Sequence, residues 1–373
     1  MSKRTNIIFN VLTIVLTAGA IFCVAFLANN YYVGELIKIV GFLILGTLVA
    51  SIINAFAHEL GHFIAGKVNG FALVEMSVWF FKFTRFKGKF TFEFTLPREE
   101  IGYTEMVPFG TENMGRRYKR VALGGAVASA IITAIGIVPL FLTAHIPFVL
   151  YAFWTTLFPV GLYYFLGAIL PIQNDGVDND GLVAYKISKN HDDAKVTLAL
   201  LCVQAELVDG KTYAEIDEKY LFDLPQLAED DIYFAMLLNA RYNYYLDKGD
   251  YENAKKITER LLGLEEYLPK AFLTLAKADA LYNACTFDFN EDVADDIFYE
   301  LEKYLNKRQT ATNMRIKTAY LAFVLKNDEQ LNSFIEGTKE EIADMNIAGL
   351  SVFESRRIAE IEKRLIKENE TID

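Results

Sequence analysis

Residues 39–63 read IVGFLILGTLVASIINAFAHELGHF, a run without a single charge up to Ala57 that ends in His58-Glu59-Leu60-Gly61-His62. A bilayer core is crossed by about 20 apolar residues in helix, and this run is long enough. On a helix, residues four apart share a face. His58 and His62 therefore present two imidazoles together, and Glu59 lies beside the first. Two histidines and a glutamate at the end of an apolar span are costly in lipid unless they hold a metal or line a polar cavity. The pattern points to Zn²⁺ on His58 and His62, with Glu59 as the general base toward a water molecule. Half of the chain's four histidines fall in this window. The competing reading is a helix end solvated among headgroups.

Three further uncharged runs, at 7–27, 121–143 and 146–170, also meet the bilayer length, giving four expected spans with the one at 39–57. The first run is long for a signal peptide and is read as a retained helix. Lys3 and Arg4 precede it, and ten Lys and Arg lie between Lys67 and Arg120. The intervening short loops carry only Lys38 and His145. The positive-inside rule then places both termini and the 67–120 segment in the cytoplasm, with the chain in the cell membrane. Within that segment, residues 78–96 alternate aromatics and Thr with charges around Lys87-Gly88, the pattern of a β-hairpin. Its Phe-rich face is expected at the membrane interface or against the helices.

Charge divides the chain. Up to residue 189 there are fifteen Lys and Arg against eleven Asp and Glu, and after it twenty-two against thirty-seven. A mildly basic apolar domain, 1–189, is thus followed by an acidic domain, 190–373. Basic clusters with interleaved aromatics on a soluble face are missing, which argues against nucleic acid as a partner. Cys23, Cys202 and Cys285 are widely spaced, which excludes a thiolate metal site and a disulfide framework.

A zinc site needs a third protein ligand. The fourth run ends in Leu170-Pro171-Ile172-Gln173-Asn174-Asp175-Gly176-Val177-Asp178-Asn179-Asp180-Gly181. By the orientation derived from the Lys and Arg distribution, its aspartates lie at the same membrane face as His58. Taken singly, each is also an ordinary turn residue. Asp180 is the expected ligand because an amphipathic helix comes directly after it, and Asp175 is the alternative.

Residues 36–190 resemble the site-2 protease family of intramembrane metalloproteases. His58-Glu59-Leu60-Gly61-His62 matches its His-Glu-x-x-His motif. Leu123-Gly124-Gly125-Ala126-Val127-Ala128-Ser129 looks like its middle Gly-rich motif, with Ala126 where Pro is usual and Ser129 where Asn is usual. Pro171 through Asp180-Gly181 is similar to its Pro…Asp-Gly motif, and Ala168 stands where Asn is frequent. The resemblance implies a zinc endopeptidase acting on single-span or membrane-associated peptides, with Gly125 and Ser129 as substrate-binding residues. A second reading is a catalytically inactive membrane scaffold whose helical domain binds partners.

After residue 190 the apolar spacing is helical throughout. Asp247-Lys-Gly-Asp-Tyr251-Glu-Asn-Ala254 resembles the inter-helix turn of a tetratricopeptide repeat. The expected fold is therefore mainly α: a four-span membrane bundle with a small β-hairpin insertion, then a soluble all-α, repeat-like domain able to dock a protein partner. Cysteine labelling is expected to mark residue 145 from outside the cell and residue 87 from inside, and the reverse pattern would overturn the orientation.

Overall fold

The computed structural model describes residues 3–32, 36–86, 89–95, 101–142, 145–174, 177–307 and 309–372. It divides into two compact units, residues 1–107 with 112–194, and residues 108–111 with 195–373.

The first unit is built on α1 (Lys3–Tyr31), α2 (Leu36–Val68), α3 (Met114–Phe141), α4 (Phe148–Thr155) and α5 (Leu157–Ile169). Four helical stretches are long and apolar enough to cross a membrane: Arg4–Asn30, Val40–Val68, Met114–Phe141 and Phe148–Ile169. Their outer faces carry exposed apolar side chains, among them Phe22, Ile44, Ile131 and Phe141.

Two boundaries differ from the sequence reading. The second stretch does not end at Ala57 but continues to Val68, so His58 and His62 sit about 15 Å and about 9 Å along the axis from the helix end rather than at it. Leu60, Phe63, Ile64 and Ala65 keep that part apolar enough to extend the helix between the polar residues. The fourth stretch is not one helix but two, broken at Thr156. Pro159 has no N–H to give to the carbonyl of Thr155, and its ring crowds that carbonyl. Thr143, at the expected end of the third span, lies outside the described residues.

The helices approach closely through small residues. Gly61 of α2 faces Gly124 of α3, and a Cβ on either would run into the other's backbone carbonyl. Ala65 and Ala128 lie one turn further along the same contact, so each helix presents a small-xxx-small pair, which lets backbones meet without side chains between them. Arg117 of α3 then fixes the end of α2 by donating to the carbonyls of Asn69 and Gly70, each at 2.7 Å. A cation at a helix C-terminus also suits the dipole.

The expected hairpin is part of a larger sheet. β1 (Phe71–Val78), β2 (Phe81–Phe86), β3 (Lys89–Phe94) and β4 (Gly102–Pro108) lie in the order β3-β2-β1-β4. β2 and β3 are antiparallel, pairing Phe81 with Phe94 and Phe83 with Phe92. The turn at Lys87-Gly88, and Leu96, lie outside the described residues. The Phe81, Phe83, Phe92 and Phe94 rings cluster, and Phe83 also meets Phe56 of α2 at 6.2 Å. β1 escaped the sequence reading because FALVEMSV, mostly buried, does not alternate.

A two-stranded ribbon, β5 (Gln173–Asn174) and β6 (Val177–Asp178), leads into α6 (Asp180–Ser188). Asn6 of α1 and Gln173 exchange two hydrogen bonds of 2.7 and 2.8 Å, which puts the start of α1 at the same end of the bundle as this ribbon.

The second unit is helical from α7 (Asp192–Val208) onward: α8 (Ile232–Lys248), α9 (Tyr251–Leu262), α10 (Lys270–Thr286), α11 (Glu291–Lys307), α12 (Ala311–Phe323), α13 (Asp328–Ala343) and α14 (Ala348–Ile372). From α8 to α14 successive helices pack on one another, and α12 also packs on both α10 and α14, a stacked arrangement of helix pairs. The turn between α8 and α9 is explained by its residues. Gly249 takes the left-handed conformation at φ 75° that ends α8, and the Asp250 side chain caps α9.

The core of this unit holds charge. Arg315 and Glu354 are both buried and 2.6 Å apart. Asp279 is buried with one hydrogen bond among the described residues, from Asn239 at 3.1 Å. Burial pushes the Asp279 carboxyl up to about 7 from 3.8, against the opposing pull of Arg315. The folded state thus keeps a proton that the unfolded chain releases, and stability falls as pH rises from about 4 to about 7. Asp279→Asn is expected to remove that slope and to raise the unfolding midpoint above about pH 7, as read by thermal melts across this range.

Candidate metal centre

α2 carries His58 and His62 on the face turned to α3. Their Nε2 atoms are 3.1 Å apart, and each is 3.2 Å from Oδ2 of Asp180. These three groups can hold a metal ion. Each histidine is anchored from behind. His62 Nδ1 faces the carbonyl of Val121 at 2.9 Å, and His58 Nδ1 meets the Ser129 hydroxyl at 3.0 Å. A carbonyl only accepts, so His62 Nδ1 carries a proton, and whenever the ring is neutral its Nε2 is left with a lone pair. With both rings neutral and His58 in the same tautomer, three electron-pair donors face one another, an arrangement that a cation resolves. Bonds of about 2.0–2.2 Å to a tetrahedral cation place neighbouring donors roughly 3.3 Å apart, close to the separations here.

Room for the imidazoles comes from Gly125 of α3, where a Cβ would collide with His62 Nε2 and with His58. Gly125 and Ser129, read from sequence as substrate-binding, thus lie against the two histidines.

Asp180 is delivered by its neighbours. Asn179 caps α6 by accepting from Leu182 N at 2.9 Å. Its amide nitrogen donates back to the carbonyls of Gly167 and Leu170, and its oxygen also takes Ile172 N at 3.0 Å. This one side chain staples the end of α5 to the start of α6. Gly181 comes next because a Cβ there would strike the carbonyls of Ala168 and Ile169. Asp178 is engaged elsewhere, by Lys186 and by Gln173 at 2.9 Å. Asp175 lies outside the described residues.

Glu59 is 6% exposed and is not part of the three-donor cluster. Its carboxylate accepts from the Thr104 hydroxyl of β4 at 2.6 Å. Gly102, on the same strand, leaves the space that the Glu59 side chain fills. Met106 of β4 packs over Gly66, so the strand tracks the last turns of α2. Tyr164 of α5 lies with its ring 6.2 Å from that of His58.

No family model, no curated protein and no solved structure matches this chain.

His58, Glu59, His62 and Asp180 were expected at the site from the sequence, whereas Thr104, Asn179, the Val121 carbonyl and Tyr164 were not. Asn179 had a legible signal, since Asn is a preferred helix cap directly before an amphipathic run. The other three have none. Asp180→Ala and Gly125→Ala are expected to abolish high-affinity metal binding, the first by deleting a ligand and the second by displacing two. Ser129→Ala is expected to weaken it by about 10–100-fold, the usual cost of losing a partner that orients a ligand. Chelator competition with the purified protein measures all three.

Proposed function

We propose that this chain is a membrane-embedded zinc endopeptidase of the site-2 protease type, cutting membrane-spanning or membrane-associated peptides. The observation that carries the reading is the convergence of His58, His62 and Asp180 beside a separate buried carboxylate, Glu59, within a set of apolar helices. Two imidazoles and one carboxylate form a donor set of catalytic zinc sites, which keep a fourth position open. Zinc held there would bring the pKa of a coordinated water toward neutrality and polarise the scissile carbonyl. Glu59 takes the proton of the attacking water and passes it to the leaving amine. Thr104 keeps the carboxylate aimed while the site is empty of substrate.

The bilayer as solvent is supported by the exposed Ile and Phe side chains on the four apolar stretches and by the Phe-rich face of β2 and β3. The Lys and Arg distribution supports cytoplasmic termini and a catalytic site that opens toward the cytoplasm. A helical substrate hides its carbonyls in internal hydrogen bonds and must unwind before attack. An unwound segment can add to a sheet edge. Of the two edges, β4 is the one that carries Thr104 and Gly102 against Glu59, so it is the better docking strand than β3. The acidic helical unit is read as the part that docks a protein partner or restrains access.

The test separates chemistry from metal binding. Glu59→Gln keeps size and hydrogen bonding but cannot act as a base. It is expected to retain zinc and folding while proteolysis falls by at least about 10²-fold, the low end for general acid–base groups. His58→Ala loses both zinc and activity. A Glu59→Gln protein that keeps its zinc and cuts at the parental rate would remove the hydrolytic mechanism.

A further inference from the structure

The hydroxyl of Tyr164 is buried and makes no hydrogen bond among the described residues. Buried polar groups are nearly always paired, because an unpaired one forfeits its hydration for nothing in return. An exception beside a reactive centre calls for a partner that is absent from the resting state. Tyr164 is placed at that centre by α5. Gly161, one turn earlier, packs on Thr133 of α3 and on Asn54, which lies one turn before His58 on α2. Ala168, one turn later, is buried on the same side of α5. Between them, the Tyr164 ring is tilted against the His58 imidazole at 6.2 Å.

Other hydroxyls around the site are engaged. Ser129 is spent on His58 Nδ1, Thr104 on the Glu59 carboxylate and Thr133 on the Ser129 carbonyl. The Asn54 amide nitrogen donates to the Ala50 carbonyl. What the proposed hydrolysis still lacks is a protein donor for the negative charge that develops on the substrate's carbonyl oxygen.

We infer that the Tyr164 hydroxyl is that donor: it hydrogen-bonds the carbonyl oxygen of the bound peptide as this oxygen becomes an oxyanion. The inference rests on the proposed hydrolase function. Water oxygen bonds to the carbonyl carbon, the π pair moves onto the carbonyl oxygen, and the water's proton goes to Glu59. The C–N bond then breaks, the oxygen's pair restores the carbonyl, and the amine leaves with the proton from Glu59. Tyr164 keeps its own proton throughout. A fixed donor in a water-poor site acts on the transition state more than on the ground state, because only there is the charge fully developed.

Tyr164→Phe deletes the hydroxyl and keeps the ring. With a quenched fluorescent single-span peptide in detergent micelles, kcat is expected to fall about 10²–10³-fold with KM unchanged, the usual effect of losing one oxyanion donor. Two readouts do not depend on turnover. The metal-free variant should melt at or above the parental temperature, since no resting hydrogen bond is lost. The phosphinic analogue of the cleaved peptide, which carries a tetrahedral oxyanion, should bind the zinc-loaded variant at least about 10-fold more weakly than the parent. Parental kcat, equal affinity for the phosphinic probe, or a drop in kcat accompanied by a lower melting temperature and lost zinc each overturns the role. Glu59→Gln is assayed in parallel. Loss with Glu59→Gln and none with Tyr164→Phe removes only the tyrosine's role. A zinc-loaded parent that cuts no peptide removes both readings.

Discussion

Three electron-pair donors, the Nε2 atoms of His58 and His62 and Oδ2 of Asp180, face one another at 3.1–3.2 Å, and much of the first unit is arranged to hold them there. Such atoms repel unless a cation lies among them. Keeping them together therefore requires that each be gripped from behind. The grip on the histidines comes from α3, through the Val121 carbonyl and the Ser129 hydroxyl. The grip on the aspartate comes from Asn179, which ties α6 to the end of α5. The site is thus assembled from α2, α3, α5 and α6, none of which could form it alone.

Close approach is the condition for that assembly. The two imidazoles fit only because Gly125 offers no side chain, and α3 reaches α2 only because Gly61 and Gly124 let the backbones meet. Side-chain bulk at this crossing would push the Val121 carbonyl and Ser129 out of hydrogen-bond range. In an apolar surrounding, such packing and hydrogen bonding replace the hydrophobic drive that brings helices together in water. The sheet adds a second layer to the same logic. β4 tracks the last turns of α2 and gives Glu59 a fixed partner in Thr104, so the buried carboxylate next to the donor cluster has a defined direction.

The second unit solves a different problem. Its helices bury charge as well as apolar surface, with Arg315 against Glu354 and Asp279 held by Asn239. Arg315 also lies over the Tyr282 ring at 4.1 Å. An aromatic face and a carboxylate together offset the hydration that the guanidinium gives up. The cost is visible at Asp279, whose carboxyl is pushed toward neutrality by burial.

The sequence by itself determined the features that short-range periodicity and length dictate. Uncharged runs of bilayer length marked four long apolar stretches, and four-residue spacing put His58 and His62 on one face. The Gly249-Asp250 turn was legible because a left-handed residue and a helix cap are local demands. Asp180 was legible as far as topology could carry it, as an acidic residue at the same end as the histidines with a helix behind it. What local pattern could not supply was anything set by a neighbour in space. Helix α2 runs past His58 because its polar residues are satisfied by α3 and β4, so the run of uncharged residues underestimated its length. The break at Thr156 depends on Pro159 within an otherwise continuous apolar run. β1 is buried on both faces by its surroundings, which erases the alternation that marks a strand. The partners of Glu59 and Asn179, and the unpaired hydroxyl of Tyr164, exist only where distant segments meet. Sequence spacing dictates which side chains share a face, but hydrogen bonds between elements depend on atoms brought within about 3 Å, and only the packed helices decide that.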